Sequence, residues 1–598
     1  MAIKDFKNVH AMIKDVVERY GDKDAFRWFI DDQGNRESVT WNEFYKQVKQ
    51  VSKSLIALGV KKEDKVNIIS NTCYRWALTD FGVISAGACN IGIYQSNLTK
   101  DCLYIIDHSD AVIVFVENRV QLDKLLEIRK KIPNVKKVIM FNDDYSKDDW
   151  VITFDEFMKL GDKIADDVFK KRADEPQPSD PATLVYTSGT TGVPKGVVIT
   201  QDNLTFNSQS IKASLQMLEG DDTIVFLPLA HVMARLTVYS AAISGTTVTF
   251  ARSLDTAVED IGFTKPHWIP SVPRVYEKIY SKIVSGAAEK GGIILKLFNW
   301  ALRVGNTVSD CIVNKQPIPA FTAFQYKIAS KLVFSKLQNV LGGKIRWMLS
   351  GGAPLNESIV KFFHAAGILV LEGIGMTENA SFSHTNQFEN YRFGTVGLPG
   401  PGIEVKTAED GEIMIRGRNV MKEYYKMPKE TKATFTDDGW LLTGDLGEID
   451  ADSFLKVTGR KKELIITAGG KNIAPAYLEG VIGTSTYIAQ VMVIGDRQKY
   501  LTALVTLDPL TVGEYAKKNG IEFKSMEDLI SNNKIVELID GEIKKKNEEF
   551  ASFETIKYFK IVPEFTVDNG LITPTLKLKK NLISAKYEDN IKSMYQPN

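Results

Sequence analysis

The sequence predicts an α/β protein. A large N-terminal domain of parallel-rich sheets flanked by helices carries a β-rich subdomain, and a smaller α+β C-terminal domain follows. Three observations carry this reading. Strand-type runs alternate with helix-period segments through the first half of the chain, the pattern of parallel sheets covered on both faces. After Gly411 the texture changes to short strand-like runs. The charged segment Thr458–Glu463 then precedes a stretch on the scale of an independent domain. With 598 residues, 44% apolar and 25% charged, the chain is too long for one core and too apolar for disorder.

Thr40-Trp-Asn-Glu43 is a capping-box pattern, followed by Phe44, Val48, Val51 and Leu55 at helical spacing and by Gly59 as a stop. Strand-type runs are expected at Lys65–Ser70, Cys89–Tyr94, Ala111–Val116 and Val135–Met140, with helices over Tyr74–Ala86 and Gln121–Lys131 between them. Lys170–Pro181 is polar and proline-rich and reads as a surface connection. Further strands are expected at Thr183–Tyr186, Thr223–Leu227, Thr247–Phe250, Trp268–Ser271 and Ile345–Ser350. Residues 275–341 are helical in period and read as an insertion packed on the core. Glu412–Arg416 and Leu441–Ile449 read as strands of the β-rich part. The expected division is 1–458 and 459–598, with a hinge at the start of the second part.

Lysine and arginine number 75 against 74 aspartates and glutamates, so no global footprint for nucleic acid exists. Four cysteines in no CxxC pair fit a reduced, cytoplasmic chain. Six scattered histidines lack zinc-ligand spacing. The N-terminus lacks a secretory h-region, and Phe81–Asn97 is short and broken by glycines, so no spanning helix is expected. Peripheral contact with a membrane surface stays open, as does oligomeric state.

The sharpest local signal is Leu184-Val-Tyr-Thr-Ser-Gly-Thr-Thr-Gly-Val-Pro-Lys-Gly196. Gly189 and Gly192 allow backbone amides close to phosphate oxygens. Thr187, Ser188, Thr190 and Thr191 add donors, and Lys195 adds a cation. The spacing is not that of a P-loop, because the lysine precedes Gly196 and a second strand-type run, Val197–Thr200. A plain Ser/Thr/Gly surface loop is the bland alternative.

This segment resembles the signature loop of the adenylate-forming superfamily, which includes acyl-CoA synthetases, firefly luciferases and peptide-synthetase adenylation domains. Further blocks stand in the family's order: Leu227-Pro-Leu-Ala-His-Val232, Ser350-Gly-Gly-Ala-Pro354, Glu372-Gly-Ile-Gly-Met-Thr-Glu378, Gly439-Trp-Leu-Leu-Thr-Gly-Asp445, Thr458-Gly-Arg-Lys-Lys462 and Thr573-Pro-Thr-Leu-Lys577. Pro273-Arg-Val-Tyr-Glu277 and Ala468–Pro475 resemble the long-chain branch.

The resemblance implies ATP-dependent activation of a fatty acid to acyl-AMP with release of pyrophosphate, then transfer to coenzyme A. It implies Mg²⁺ held by Thr187 and Glu378. It implies nucleotide contacts from Gly352, Ala353, Glu372, Gly373, Thr377 and the phosphate loop. Asp445 and Arg460 would meet the ribose, Lys577 the reacting oxygens, and Lys195 the phosphates. His231, Gly352 and Gly375 would border the acyl group, Lys462 would be the pivot of the small domain, and Gly469 and Gly470 would line the coenzyme A channel.

Each residue also has a plainer reading. Alone, Glu378 is a solvated glutamate or cap, Asp445 an Asx turn, His231 a structural imidazole, and Lys577, Lys579 and Lys580 a solvated basic face. The pattern departs from the family at three positions: Ile374 for a tyrosine in the adenine motif, Glu423 for a glycine, and Ile466 for a lysine past the hinge. Loading of a carrier-protein thiol, or acyl and nucleotide binding without turnover, are the competing readings.

Overall fold

Two large sheets account for most of the N-terminal part. The protein is described from a computed structural model covering residues 3–142, 148–187, 193–468, 471–573 and 577–596. In the first sheet, Thr247–Phe250, Asp222–Val225, Trp268–Ser271, Trp347–Ser350 and Leu369–Ile374 run parallel. The hairpin Asp24–Phe29 and Arg36–Thr40 closes one edge. In the second sheet, Cys89–Ile93, Lys65–Ile69, Ala111–Val116, Lys137–Met140 and Val151–Thr153 run parallel. Pro181–Thr187 joins its other side and turns back as the antiparallel strand Lys195–Thr200.

The capping box forms as expected: Thr40 and Glu43 cap each other's backbone N–H at the start of helix Trp41–Ala57. Helices Tyr74–Ser85 and Val232–Ser244 are buried almost all round, as a helix between two layers must be. One apolar core joins them to both sheets, from Val66 and Ile68 to Trp268 and Trp347. Residues 275–341 form the expected helical insertion, Pro273–Lys290, Gly292–Val313 and Ala320–Val340, the last with a π-turn at Ser330–Phe334. A second core seats it on the first sheet.

The β-rich part is a four-stranded antiparallel sheet of Ile403–Thr407, Glu412–Gly417, Leu441–Ile449 and Leu455–Arg460. Beyond it, Ile488–Ile494, Leu501–Leu507 and Ile556–Ile561 form a three-stranded sheet with a core of its own.

Two expectations need correction. Lys170–Ala173 is not connection but the last turn of helix Asp166–Ala173, held because Phe169 and Ala173 are buried. Thr458–Arg460 is not link but strand, paired with Leu441–Ile449, so the connecting turn begins at Lys461.

Between the two sheets lies a buried ion pair. Arg235 on helix Val232–Ser244 donates through Nε (3.1 Å) and Nη2 (2.5 Å) to Asp80 on helix Tyr74–Ser85. Asp80 also accepts from Tyr239 (3.0 Å) and Asn90 (2.6 Å), and Arg235 reaches Thr183 Oγ1 at 2.5 Å. Both charged side chains are 2% exposed. Removing one partner strands the other charge in the core. Arg235→Met is therefore expected to lower the unfolding free energy by about 3–5 kcal/mol. Arg392→Ala, at the exposed pair with Asp450, should cost less than about 1 kcal/mol. Urea denaturation compares the two, and equal losses would contradict the assignment.

Candidate active site

The candidate residues gather where the two sheets, the β-rich sheet and the C-terminal segment meet, and the space between them is called the cleft. Its first wall is the hairpin of Pro181–Thr187 and Lys195–Thr200, in which Thr187 pairs with Lys195 across the register. Ser188, Gly189, Thr190, Thr191 and Gly192 lie outside the described residues, as do Gly469 and Gly470. The short strand Glu423–Tyr424 adds to the same sheet, opposite Val197 and Val198.

Tyr424 joins the first wall to the second. The Lys195 ammonium lies 4.6 Å from the centre of its ring, and its hydroxyl donates to Glu378 Oε1 at 2.7 Å. A cation on the aromatic face and a carboxylate at the hydroxyl use the two polar features of one tyrosine. The separated cation and anion thus share one cleft, held by a buried ring. The paired tyrosines Tyr424-Tyr425 are visible in the sequence, but nothing there assigns Tyr424 to this role.

Glu378 sits in the 3-10 turn Thr377–Asn379, which follows strand Leu369–Ile374. The turn is held tightly. Asn379 Oδ1 accepts from Met376 N, Asn207 donates to the Asn379 and Ala380 carbonyls, and the Glu378 carbonyl accepts from Met421 N. Ala380 (φ 49°) and Ser381 (φ 70°) are both left-handed, a local strain of the kind that neighbouring structure must enforce. Gly375 has a structural reason to be glycine: a Cβ there would lie 2.0 Å from the Ser381 carbonyl oxygen. Ile374, Gly375 and Met376 line a small pocket that extends to Thr443 and Asp445, so the isoleucine does present an apolar face there. Glu423 and Ile466 are exposed.

Gly352 and Ala353 follow strand Trp347–Ser350 and are exposed. Gly352 is left-handed at φ 83°, and a Cβ there would find only Val272 near 4 Å. The strand is steadied by Tyr276, whose hydroxyl donates to the Leu349 carbonyl at 2.6 Å. That gives Pro273-Arg-Val-Tyr-Glu277 a physical task at the start of its helix. Glu372 lies on the neighbouring strand. Burial pushes its carboxyl up to about 8, against the pull of the Gly394 and Leu355 N–H groups.

Asp445 and Arg460 face each other across adjacent antiparallel strands. Arg460 Nε donates to Asp445 Oδ1 at 2.8 Å. The next residue, Lys461, pairs with Asp410 at 2.5 Å and Glu412 at 2.9 Å, while Glu412 also accepts from Gly444 N. The strand is therefore anchored up to Lys461, and Lys462 follows in an exposed turn. Both residues fall in segments the sequence singles out, but nothing there assigns Lys461 or Glu412 this pairing.

Lys577 enters the cleft from the C-terminal part. Its N–H donates to Thr573 Oγ1 at 3.0 Å, and its carbonyl accepts from Thr573 N. Water reaches the side chain, yet protein walls crowd it. That desolvation, then the Arg460 guanidinium, lowers its pKa, while Asp445, Glu463 and Glu378 pull the other way. Lys580 does something different: it pairs with Glu479 at 2.9 Å, so the three lysines are not one solvated face.

His231 caps helix Val232–Ser244, its Nδ1 accepting from Met233 N at 3.2 Å. Burial, and then the Lys577 ammonium, push its imidazole down to about 4. The cap and the place beside Lys577 coexist in one neutral side chain.

The AMP-binding enzyme family matches residues 13–425, and the AMP-binding enzyme C-terminal domain matches residues 462–598. The chain is similar to the long-chain-fatty-acid–CoA ligase FadD15 of Mycobacterium bovis, at 34% identity over 99% of this chain and 98% of that protein. It is similar to the human long-chain-fatty-acid–CoA ligase ACSBG1 at 30% identity, over 98% of this chain and 85% of that one. Among solved structures, the adenylation domain of a carboxylate reductase from Mycobacterium chelonae superposes with a TM-score of 0.78 at 20% identity, covering 99% of this chain and 92% of that one. The corresponding domain from Segniliparus rugosus, in complex with AMP and a co-purified carboxylic acid, gives 0.76 at 19% identity, covering 98% and 94%. These two likenesses establish the fold.

Glu372 supplies a test by pH. Its folded pKa of about 8 lies above the ordinary 4.5. A carboxyl raised in this way stabilises the fold fully below its unfolded pKa and loses that contribution as pH rises through the folded value. Glu372→Gln keeps the neutral shape and cannot ionise. The stability of this variant relative to the parent protein is expected to rise steadily from about pH 5 to about pH 9, read by thermal unfolding. Parallel profiles would contradict a buried, raised carboxyl.

Proposed function

The chain belongs to the AMP-binding enzyme family, and on that premise we propose that it activates a long-chain fatty acid with ATP and passes the acyl group to coenzyme A. The observation that carries this reading is the convergence of Lys195, Glu378, Asp445, Arg460 and Lys577 on one cleft. Joining a carboxylate to the α-phosphorus of ATP brings two anions together, so the site must align them and offset charge.

Lys195 and the phosphate loop grip the triphosphate. Asp445 and Arg460 hold the ribose, with Thr377, Glu372, Gly373, Gly352 and Ala353 around the adenine and the acyl carbonyl. Lys577 stands over the reacting oxygens, where lowered solvation strengthens its field. His231, neutral and beside Lys577, borders the acyl entrance together with Gly352 and Gly375.

Mg²⁺ fits the donors present. One oxygen of Glu378 is committed to Tyr424, its carboxylate is oriented by that bond, and Thr187, paired across the hairpin with Lys195, offers a hydroxyl. One carboxylate and one hydroxyl suit a cation that keeps water and phosphate oxygens for the rest of its shell. When bound, it would offset phosphate charge.

Residues 1–458 carry these groups apart from Arg460, which ends a strand of the same β-rich sheet, and within residues 459–598 the part beyond Lys461 acts as the lid that supplies Lys577. The anchoring of Lys461 makes Lys462 the first residue free to absorb a rotation. With the lid turned, Gly469 and Gly470 would line the thiol's approach. No described helix is long and apolar enough to cross a membrane, so contact with lipid would be peripheral.

The relatives' names favour a long-chain acid and coenzyme A over a carrier-protein thiol. ATP–pyrophosphate exchange over saturated acids of increasing length tests the first point. Each methylene buried in an apolar tunnel contributes roughly 0.8 kcal/mol, so kcat/KM should rise about fourfold per carbon until the tunnel is filled. Coenzyme A should then release AMP and give a thioester of the expected mass. Exchange with short acids alone, or transfer only to a carrier protein, would contradict the proposal.

A further inference from the structure

The third helix of the insertion turns an apolar stripe to solvent. Phe321 is 71% exposed, Phe324 61%, Ile328 37% and Leu332 44%. These positions are spaced three or four apart, so they fall on one side of a continuous helical stretch about 16 Å long. Its other side is committed: Ala329, Phe334 and Leu337 are buried in the core of the insertion, with Tyr326 and Phe334 in ring contact at 5.8 Å. A helix packed on one side normally turns polar residues outward. Scattered exposed apolar residues are ordinary, but a contiguous stripe marks an interaction surface.

The charge beside the stripe identifies what covers it. From Cys311 to Lys344 the chain has five lysines and no acidic residue, although the whole chain is balanced at +1. Lys327 and Lys331 are exposed and sit one residue before Ile328 and Leu332, and exposed Lys336 continues the row. Phenylalanine and aliphatic side chains interleaved with lysines match a surface with an apolar interior and an anionic skin. A second copy docked on this face would bring the lysine rows of both copies together, which like-charge repulsion opposes.

We propose that this stripe is a docking surface for an anionic lipid bilayer, with Phe321, Phe324, Ile328 and Leu332 entering the boundary of the acyl chains and the lysines resting on the headgroups. The proposal rests on the surface alone and does not depend on which acid the cleft activates.

Co-sedimentation of the full chain with vesicles, without ATP or acid, tests it. Binding to phosphatidylcholine vesicles carrying about one-third phosphatidylglycerol should exceed binding to pure phosphatidylcholine at least about fivefold and weaken with salt. Phe321→Ser with Phe324→Ser, and separately Lys327→Glu with Lys331→Glu, should each lower the partition coefficient about tenfold. Unfolding temperatures and pyrophosphate exchange of these surface variants should match those of the parent protein. Parent protein left in the supernatant, or variants that sediment unchanged, would overturn the proposal. So would a concentration-dependent dimer, seen by analytical ultracentrifugation, that the same substitutions dissolve.

Discussion

The cleft depends on the buried pair of Arg235 and Asp80. Arg235 lies one helical turn after His231, its backbone N–H donating to the His231 carbonyl. Its guanidinium also reaches Thr183, on the strand that ends at Thr187. One side chain therefore fixes the helix that presents His231 and the strand that ends at Thr187, where the proposed phosphate loop begins. A buried ion pair adds little net stability compared with an apolar substitute, because both charges must leave water. What it adds here is direction: a guanidinium with several donors allows few arrangements of the elements around it.

At the mouth of the cleft the chemistry is one of charge. Tyr424 holds Lys195 and Glu378 apart yet in a single group, and the cross-strand pair of Asp445 and Arg460 forms a second. Lys577 comes from a part of the chain with its own core and faces both groups. Under the proposed lid motion, a cation supplied from such a part could be withdrawn once its work is finished. A cation built into the sheet could not leave room for a second substrate. The proposed pivot, Lys462, follows the anchored Lys461, so a turn of the backbone there would leave Arg460 undisturbed.

Much of this was legible because it is local. The capping box at Thr40, the alternation of runs from Lys65 to Met140 and the glycine turns after strands are all written within a few residues. Contacts between distant residues were not. Asp80 and Arg235 read as two charged residues in apolar helices, and only the packing of those helices shows why each is tolerated. Tyr424 looks like any tyrosine in a short strand. The edge hairpin from Asp24 to Thr40 has weak alternation, since much of it is half-buried or exposed. Thr458–Arg460 reads as a link because it is charged, but its partner strand supplies the ladder that makes it sheet. The outward stripe from Phe321 to Leu332 has ordinary helical period, and periodicity alone does not tell which side faces water.

In the proposed reaction Lys577 offsets charge in the adenylation step, and its withdrawal with the lid would leave the thiol step without it. The direct measurement is a comparison of both half-reactions in Lys577→Ala. ATP–pyrophosphate exchange should fall by about two to three orders of magnitude, while thioester formation from supplied acyl-adenylate and coenzyme A stays within a few-fold of the parent protein. Exchange near the parental rate, or equal loss of both half-reactions, would contradict the account.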